Sequence, residues 1–223
     1  MISNKKENKD ILKFKNVTIL EHPLIKHKIT FLRDINTGTT EFRRIMEELS
    51  LLIGFEVFRD LETEKIPVVT PLGKTLQPIL KKNKLCFVPI LRAGLGMVEG
   101  FTHLINNAKI GHIGLYRDLK THLPREYFNK LPKDIKNMTV YLLDPILATG
   151  ESAIDAINLL KRKNVKKIIF VCIIAAPEGV RNFYKHFKDI PLFIGNLDEK
   201  LDKNKYILPG LGDAGDRFCG TND

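Results

Sequence analysis

Val140-Tyr141-Leu142-Leu143-Asp144-Pro145-Ile146-Leu147-Ala148-Thr149-Gly150-Glu151-Ser152 opens the stretch that decides the fold, and Ile168-Ile169-Phe170-Val171-Cys172-Ile173-Ile174 closes it. Val140 to Leu143 and Ile168 to Ile174 are unbroken apolar runs. Runs apolar on both faces fit strands covered on both sides, the burial of a parallel sheet. Between them, Ser152 to Lys163 sets Ala153, Ala156, Ile157 and Leu160 on one face of a helix. Leu85 to Leu91 is a third such run, and Ile110 to Tyr116 and Leu192 to Ile194 add further strands. A helix is expected over Thr40 to Leu61, with Phe42, Ile45, Met46, Leu49 and Leu52 inward and Thr39 or Thr40 as its cap. Residues 66–78 read as a hairpin arm turning at Pro71-Leu72-Gly73-Lys74. Strand–helix alternation of this kind predicts a doubly wound α/β domain with a mostly parallel sheet.

The rest of the composition limits what such a domain does. The 223 residues, 43% of them hydrophobic, suit one core and one domain. Residues 1–15 are lysine-rich and predict a mobile polar arm before a single domain over 16–223. No apolar run reaches membrane-spanning length and no secretory leader is evident, so a cytoplasmic protein is expected. Cys86, Cys172 and Cys219 are odd in number and form no C-x-x-C pair, which argues against a disulfide framework or zinc site. The net charge of +10 is spread over solvated faces. It suits small anionic ligands, and it leaves open a non-catalytic RNA-binding regulator on the same fold.

In open α/β sheets ligands bind beyond the carboxyl ends of the strands. The loops after Leu143 and Leu91 are therefore the places to look. From Asp144 to Ser152 a strand ends in an acid and a helix begins. Unpaired N–H groups and a partial positive charge at that helix start suit a phosphate. Gly150 allows close approach, and Thr149 and Ser152 offer hydroxyls. Asp144 suits sugar hydroxyls or a hydrated Mg²⁺. The same residues also make an ordinary helix cap. In the second loop Arg92 is placed for a bidentate contact with a diphosphate, with Gly94 and Gly96 letting amides approach. Gly100 falls one position late for a dinucleotide fingerprint, so a Rossmann-type NAD(P) oxidoreductase is a weaker alternative. Residues 117–132 read as a basic, aromatic lid in which Arg117 reaches a phosphate from above. The tail from Ile207 to Arg217 carries Gly210, Gly212 and Gly215 among acids. Its backbone can meet the edge of a flat heterocycle.

Together these segments resemble uracil phosphoribosyltransferases. The resemblance runs from His22-Pro23-Leu24-Ile25-Lys26-His27-Lys28 to Phe218-Cys219-Gly220-Thr221, through Asp60 to Lys65, the Arg92 loop, Leu142 to Ser152, and Ala175-Ala176-Pro177-Glu178-Gly179. It implies a phosphoribosyltransferase-like sheet with the hairpin arm and a small C-terminal hood over 195–223. The implied reaction joins uracil to 5-phosphoribosyl 1-diphosphate (PRPP), giving UMP and diphosphate. By position, Asp144, Pro145, Ile146, Leu147, Ala148, Thr149, Gly150, Glu151 and Ser152 bind PRPP. Arg92 and Arg117 contact its diphosphate. Asp213 lies near PRPP and its Mg²⁺, which has no direct protein ligand. Ile207, Gly212, Asp213 and Ala214 bind uracil. The resemblance also implies a homodimer or higher homo-oligomer, and it allows a GTP effector. Neither nucleic acid nor membrane is an expected partner. Two residues depart from the family pattern: Glu151 replaces a small residue, and Leu119 replaces a glutamate.

Overall fold

The computed structural model describes residues 10–81, 84–117 and 124–221, the side chains at 117, 124 and 125 excepted. The first half forms β1 (Val17–Ile19), α1 (Pro23–Arg33), α2 (Thr39–Val57), β2 (Thr63–Thr70), β3 (Gly73–Leu80), β4 (Leu85–Leu91) and α3 (Leu95–Leu104). Next come β5 (Lys109–Ile110), β6 (His112–Arg117), β7 (Pro124–Lys130), β8 (Thr139–Leu143), β9 (Ile146–Leu147) and α4 (Glu151–Arg162). The last third holds β10 (Lys167–Ala175), α5 (Pro177–His186), β11 (Leu192–Leu197), β12 (Lys200–Leu201), β13 (Ile207–Leu208) and α6 (Ala214–Cys219).

The main sheet runs β1-β11-β10-β8-β4-β6-β7, with β5 and β9 as short additions to β4 and β10. All its pairings are parallel except that of β6 with β7. Alternate residues of the central strands feed two different cores, which is why each run is apolar throughout. Val140 and Leu142 of β8, with Phe170 and Cys172 of β10, pack with Ala153, Ile157 and Leu160 of α4 and Phe183 of α5. Tyr141 and Leu143, with Val171 and Ile173, pack on the other face with Ile25 of α1, Phe42 and Met46 of α2, and Phe101 of α3. The doubly wound, mostly parallel sheet is therefore as expected. No helix among the described residues is long and apolar enough to cross a membrane.

Several boundaries differ from the sequence reading, each for a local reason. Residues 10–15 do not belong to a polar arm: Ile11 is fully buried. Phe14 stacks on Tyr184 with ring centroids 3.8 Å apart, and Asp10 pairs with Arg181 at 2.7 Å. Two apolar residues set among lysines hold this segment against α5. Residues 1–9 of the expected arm lie outside the described residues. Helix α2 ends at Val57 rather than Leu61, because Phe58 leaves it to pack its ring against Phe87, Phe101 and Tyr141. Its cap is Gly38, not Thr39 or Thr40, which lie inside the helix. The hairpin is longer than 66–78, with Thr63 opposite Leu80 and Thr70 opposite Gly73. Of the expected lid over 117–132, Pro124–Lys130 is a strand antiparallel to β6. Residues 118–123, Leu119 among them, lie outside the described residues. Gly195 to Leu197 belong to β11, so the polypeptide leaves the sheet at Asp198, not at 195.

Candidate active site

The loop after β8 is built by pairing with its neighbour. β9 aligns Ile146 with Ile174 and Leu147 with Ala175, and Pro145 O accepts from the amides of Ile173 and Ile174. Helix α4 starts at Glu151, one residue earlier than the sequence suggested. Its cap is Gly150 at φ +85°, a left-handed conformation that suits glycine, with no side-chain capping bond. Neither Thr149 nor Ser152 is thus the ordinary cap. Thr149 Oγ1 instead accepts from Glu151 N at 3.4 Å, and Asn182 Nδ2 holds Thr149 O at 2.8 Å. The first-turn amides of α4 form the anion-suited end of a twelve-residue helix.

Asp144 stands where β8 ends. Its Oδ1 accepts from Ile146 N at 3.3 Å. Burial pushes this carboxyl up to about 7 against the pull of the Ile146 amide, and the charge of Asp213 pushes the same way. The two acids therefore feel each other across the site, although 69 positions separate them in sequence (213 − 144). Carboxylates are hard oxygen donors that suit a hydrated divalent cation. Asp144 and Asp213 fit a hydrated Mg²⁺.

Arg92, just beyond β4, is not free. Its Nη2 pairs with Asp216 Oδ1 at 2.8 Å and its Nη1 bonds Thr221 Oγ1 at 3.3 Å. The Thr221 hydroxyl and Arg92 together hold Asp216 below the usual carboxylate range. The glycines after Arg92 do not expose amides to a diphosphate. Gly94 N donates to Ile90 O and Gly96 N to Ala93 O. Side chains at either position would strike Leu143 O or the Phe218 ring and Met46. They are packing glycines. Arg117 is the last residue of β6, and its side chain lies outside the description.

The tail closes the site. β12 and β13 pair antiparallel, and Asp213 caps α6 by accepting from Asp216 N at 2.9 Å. A cavity of about 370 Å³ opens between this tail and the strand ends. Its lining includes Ile146 and Ala148 from the loop after β8 and Ala93 beside Arg92. Ile207, Gly212, Asp213 and Ala214 line it from the tail. Asn204, Lys205 and Tyr206, which the sequence reading passed over, form its outer rim, and Ile174 and Leu211 its apolar floor. The sequence signal for Asn204, Lys205 and Tyr206 is their adjacency to the glycine-rich tail.

A family model described as "Uracil phosphoribosyltransferase" matches residues 19–221. Uracil phosphoribosyltransferases of Bacillus pumilus and Clostridium tetani are each 52% identical over 205 residues, covering 92% of this chain and 98% of theirs. A solved Aquifex aeolicus protein superposes with a TM-score of 0.84 at 39% identity, covering 91% of this chain and 97% of its own. The adenine phosphoribosyltransferase of Trypanosoma brucei, at 14% identity and TM-score 0.57 over 89% of this chain and 88% of its own, shares the fold.

Proposed function

The chain belongs to the uracil phosphoribosyltransferase family, and from that premise we propose that it transfers the 5-phosphoribosyl group of PRPP to N1 of uracil. The products are UMP and diphosphate, a step of pyrimidine salvage. One observation carries this reading: a single cavity is lined at once by the phosphate loop, by the residue next to Arg92 and by the glycine-rich tail.

The bond from the anomeric carbon to the diphosphate oxygen breaks as uracil N1 attacks, and positive charge builds on the ribose ring. The chain acts on this by position and charge. The amides that open α4 hold the 5′-phosphate, and Asp144 accepts from the ribose hydroxyls. Arg92 and Arg117 hold the departing diphosphate. Asp213, through water, would hold an Mg²⁺ carried by PRPP, and that ion would supply further neutralisation of the leaving group. The backbone of Ile207, Gly212 and Ala214 matches the edge of uracil with paired donors and acceptors. Asp213 stands between the two substrates. No histidine is among the described residues lining the cavity, and stabilisation of the N1 anion by these backbone groups replaces a dedicated base. The same pairing rejects cytosine, which would leave buried polar groups unmatched.

The reading extends to a homodimer built through the β2–β3 hairpin, and to GTP as an effector. Incubation of the purified chain with labelled uracil, PRPP and Mg²⁺ tests the reaction. UMP formation that needs all three supports it, and absence of UMP at any protein concentration refutes it. Repeating the assay with GTP tests the effector.

A further inference from the structure

We propose that Arg33, Asp198 and Arg217 are positioning residues for uracil: they fix the turn at Gly210 and Leu211 whose next residues form the base site. The inference rests on the reading of Gly212 to Ala214 as that site. Asp198, the first residue after β11, has a fully buried side chain. Its Oδ1 accepts from Arg33 Nη2 and from Asn196 Nδ2, the latter at 2.7 Å. Its Oδ2 accepts from Arg33 Nη1 at 2.7 Å and from Gly210 N at 3.0 Å. Arg33 Nη1 also donates to Gly210 O at 2.6 Å. One ion pair thus grips both backbone groups of one glycine. The carboxylate takes its N–H and the guanidinium its carbonyl.

Arg217 repeats the pattern one residue on. Its Nη1 donates to Leu211 O at 2.9 Å and to Leu32 O at 2.7 Å, and its Nη2 to Asp34 O at 2.6 Å. Leu32 and Asp34 flank Arg33 where α1 ends, so both arginines fasten the turn to the same helix end. Carbonyls at a helix C-terminus lack intrahelical partners and accept such donors readily. Arg217 is itself held over the Phe42 ring, 4.5 Å from its centroid.

This arrangement answers a physical need. Gly210 and Gly212 sit at φ +62° and +76°, and a glycine-rich turn loses much entropy when ordered. A base read by backbone groups demands that they stand within about half an ångström of their working positions. Burying an ion pair is a poor route to stability, because desolvation offsets its attraction. Holding the backbone in one place before uracil arrives is what the pair accomplishes.

Steady-state kinetics of Arg33→Lys test this. Lysine keeps the charge but lacks the planar fork that spans Asp198 and Gly210 O. The KM for uracil should rise about tenfold, the order of one charge-assisted hydrogen bond. The KM for PRPP and kcat at saturating uracil should stay within about twofold of wild type, as a loss confined to binding one substrate implies. Arg217→Lys, outside the buried pair, should show the same split and carries the test if Arg33→Lys does not fold. A fall in melting temperature with an unchanged uracil KM would overturn the proposal, as would equal rises in both KM values. The wild-type chain in the same assay separates the two ideas. If it makes no UMP the functional reading fails, whereas wild-type turnover with unshifted variants refutes the clamp alone.

Discussion

Asp144 changes charge across neutral pH, and its consequences for binding and for stability run in opposite directions. With its carboxyl raised to about 7 by burial, it is largely protonated at pH 6 and ionised at pH 8. The ionised form is the better acceptor for ribose hydroxyls, so kcat/KM for PRPP should climb between pH 6 and 8 with a midpoint near 7. Asp144→Asn should lower the rate and remove this limb from a pH–rate profile. The unfolded carboxyl titrates near the ordinary 3.8, so the folded state holds the proton more tightly. Stability is therefore lost as pH rises from about 4 to 7, by roughly 4 kcal/mol when the whole shift is expressed. Asp144→Asn should then melt at a higher temperature than wild type at pH 8 and not at pH 4. Glu151 poses a smaller trade. In the first turn of α4 its charge favours the helix, while it opposes an anion at the same amides. Glu151→Gln should lower the KM for PRPP about two- to fivefold, the effect of ~0.3–1 kcal/mol near a helix end. An unchanged KM would show its carboxylate turned from the phosphate. Asp144 and Arg92 are legible in sequence because each directly follows an apolar strand. Arg33, Asp198 and Asp216 are not, since their meaning lies in partners 165 and 124 positions away.

Elements were legible to the extent that burial imposed a pattern on them. β4, β8 and β10 announce themselves because both faces are covered. Helix α1 hides because exposed Leu24 and Phe31 interrupt the spacing of its buried Ile25, Ile29 and Leu32. Helix α5 hides because few of its ten residues are apolar. β7 hides because Tyr127 and Phe128 are exposed, leaving no alternation to read. Yet α5 shapes the site. Gly179 in its first turn lies so close to Ala148 O that an added Cβ would overlap it, with Leu147 O at 2.8 Å. The helix thus supports the loop after β8 through a glycine, which explains Pro177-Glu178-Gly179 better than any chemistry of its own. Gly179→Ala should push α5 from the loop, costing about 1–3 kcal/mol of stability, and raise the KM for PRPP with little change in that for uracil. Thermal melts and two-substrate kinetics read both effects. A variant whose melting temperature and KM values match wild type would show that the loop gives way at no cost.

At the scale of the whole molecule, the hairpin is the part whose apolar side chains stay exposed. Eight residues on each strand pair in full register, yet a two-stranded ribbon is marginal in water by itself. Its side chains do not rescue it within one copy: Leu72 at the tip is fully exposed, Val69 is 76% exposed and Leu76 60%. At its root an apolar groove runs between Leu80, Phe55, Phe58 and Leu104. Exposed apolar surface concentrated on one projecting element marks an interface rather than ordinary surface scatter. The homodimer proposed above would cover it, since each copy would bring both arm and groove to a two-fold contact. A lasting contact of this kind buries roughly 1,200–2,000 Å² in total, more than the tip alone provides, so arm and groove must both take part. Sedimentation velocity should therefore give twice the monomer mass for the wild-type chain at micromolar concentration. Leu72→Asp with Leu76→Asp places two charges into that contact and should shift the equilibrium to monomer, by at least about a hundredfold in dissociation constant for two buried carboxylates. Far-ultraviolet circular dichroism should be unchanged, because neither leucine touches the two cores. A wild-type chain that sediments as a monomer, or a double variant that stays dimeric, would assign the exposed leucines another role.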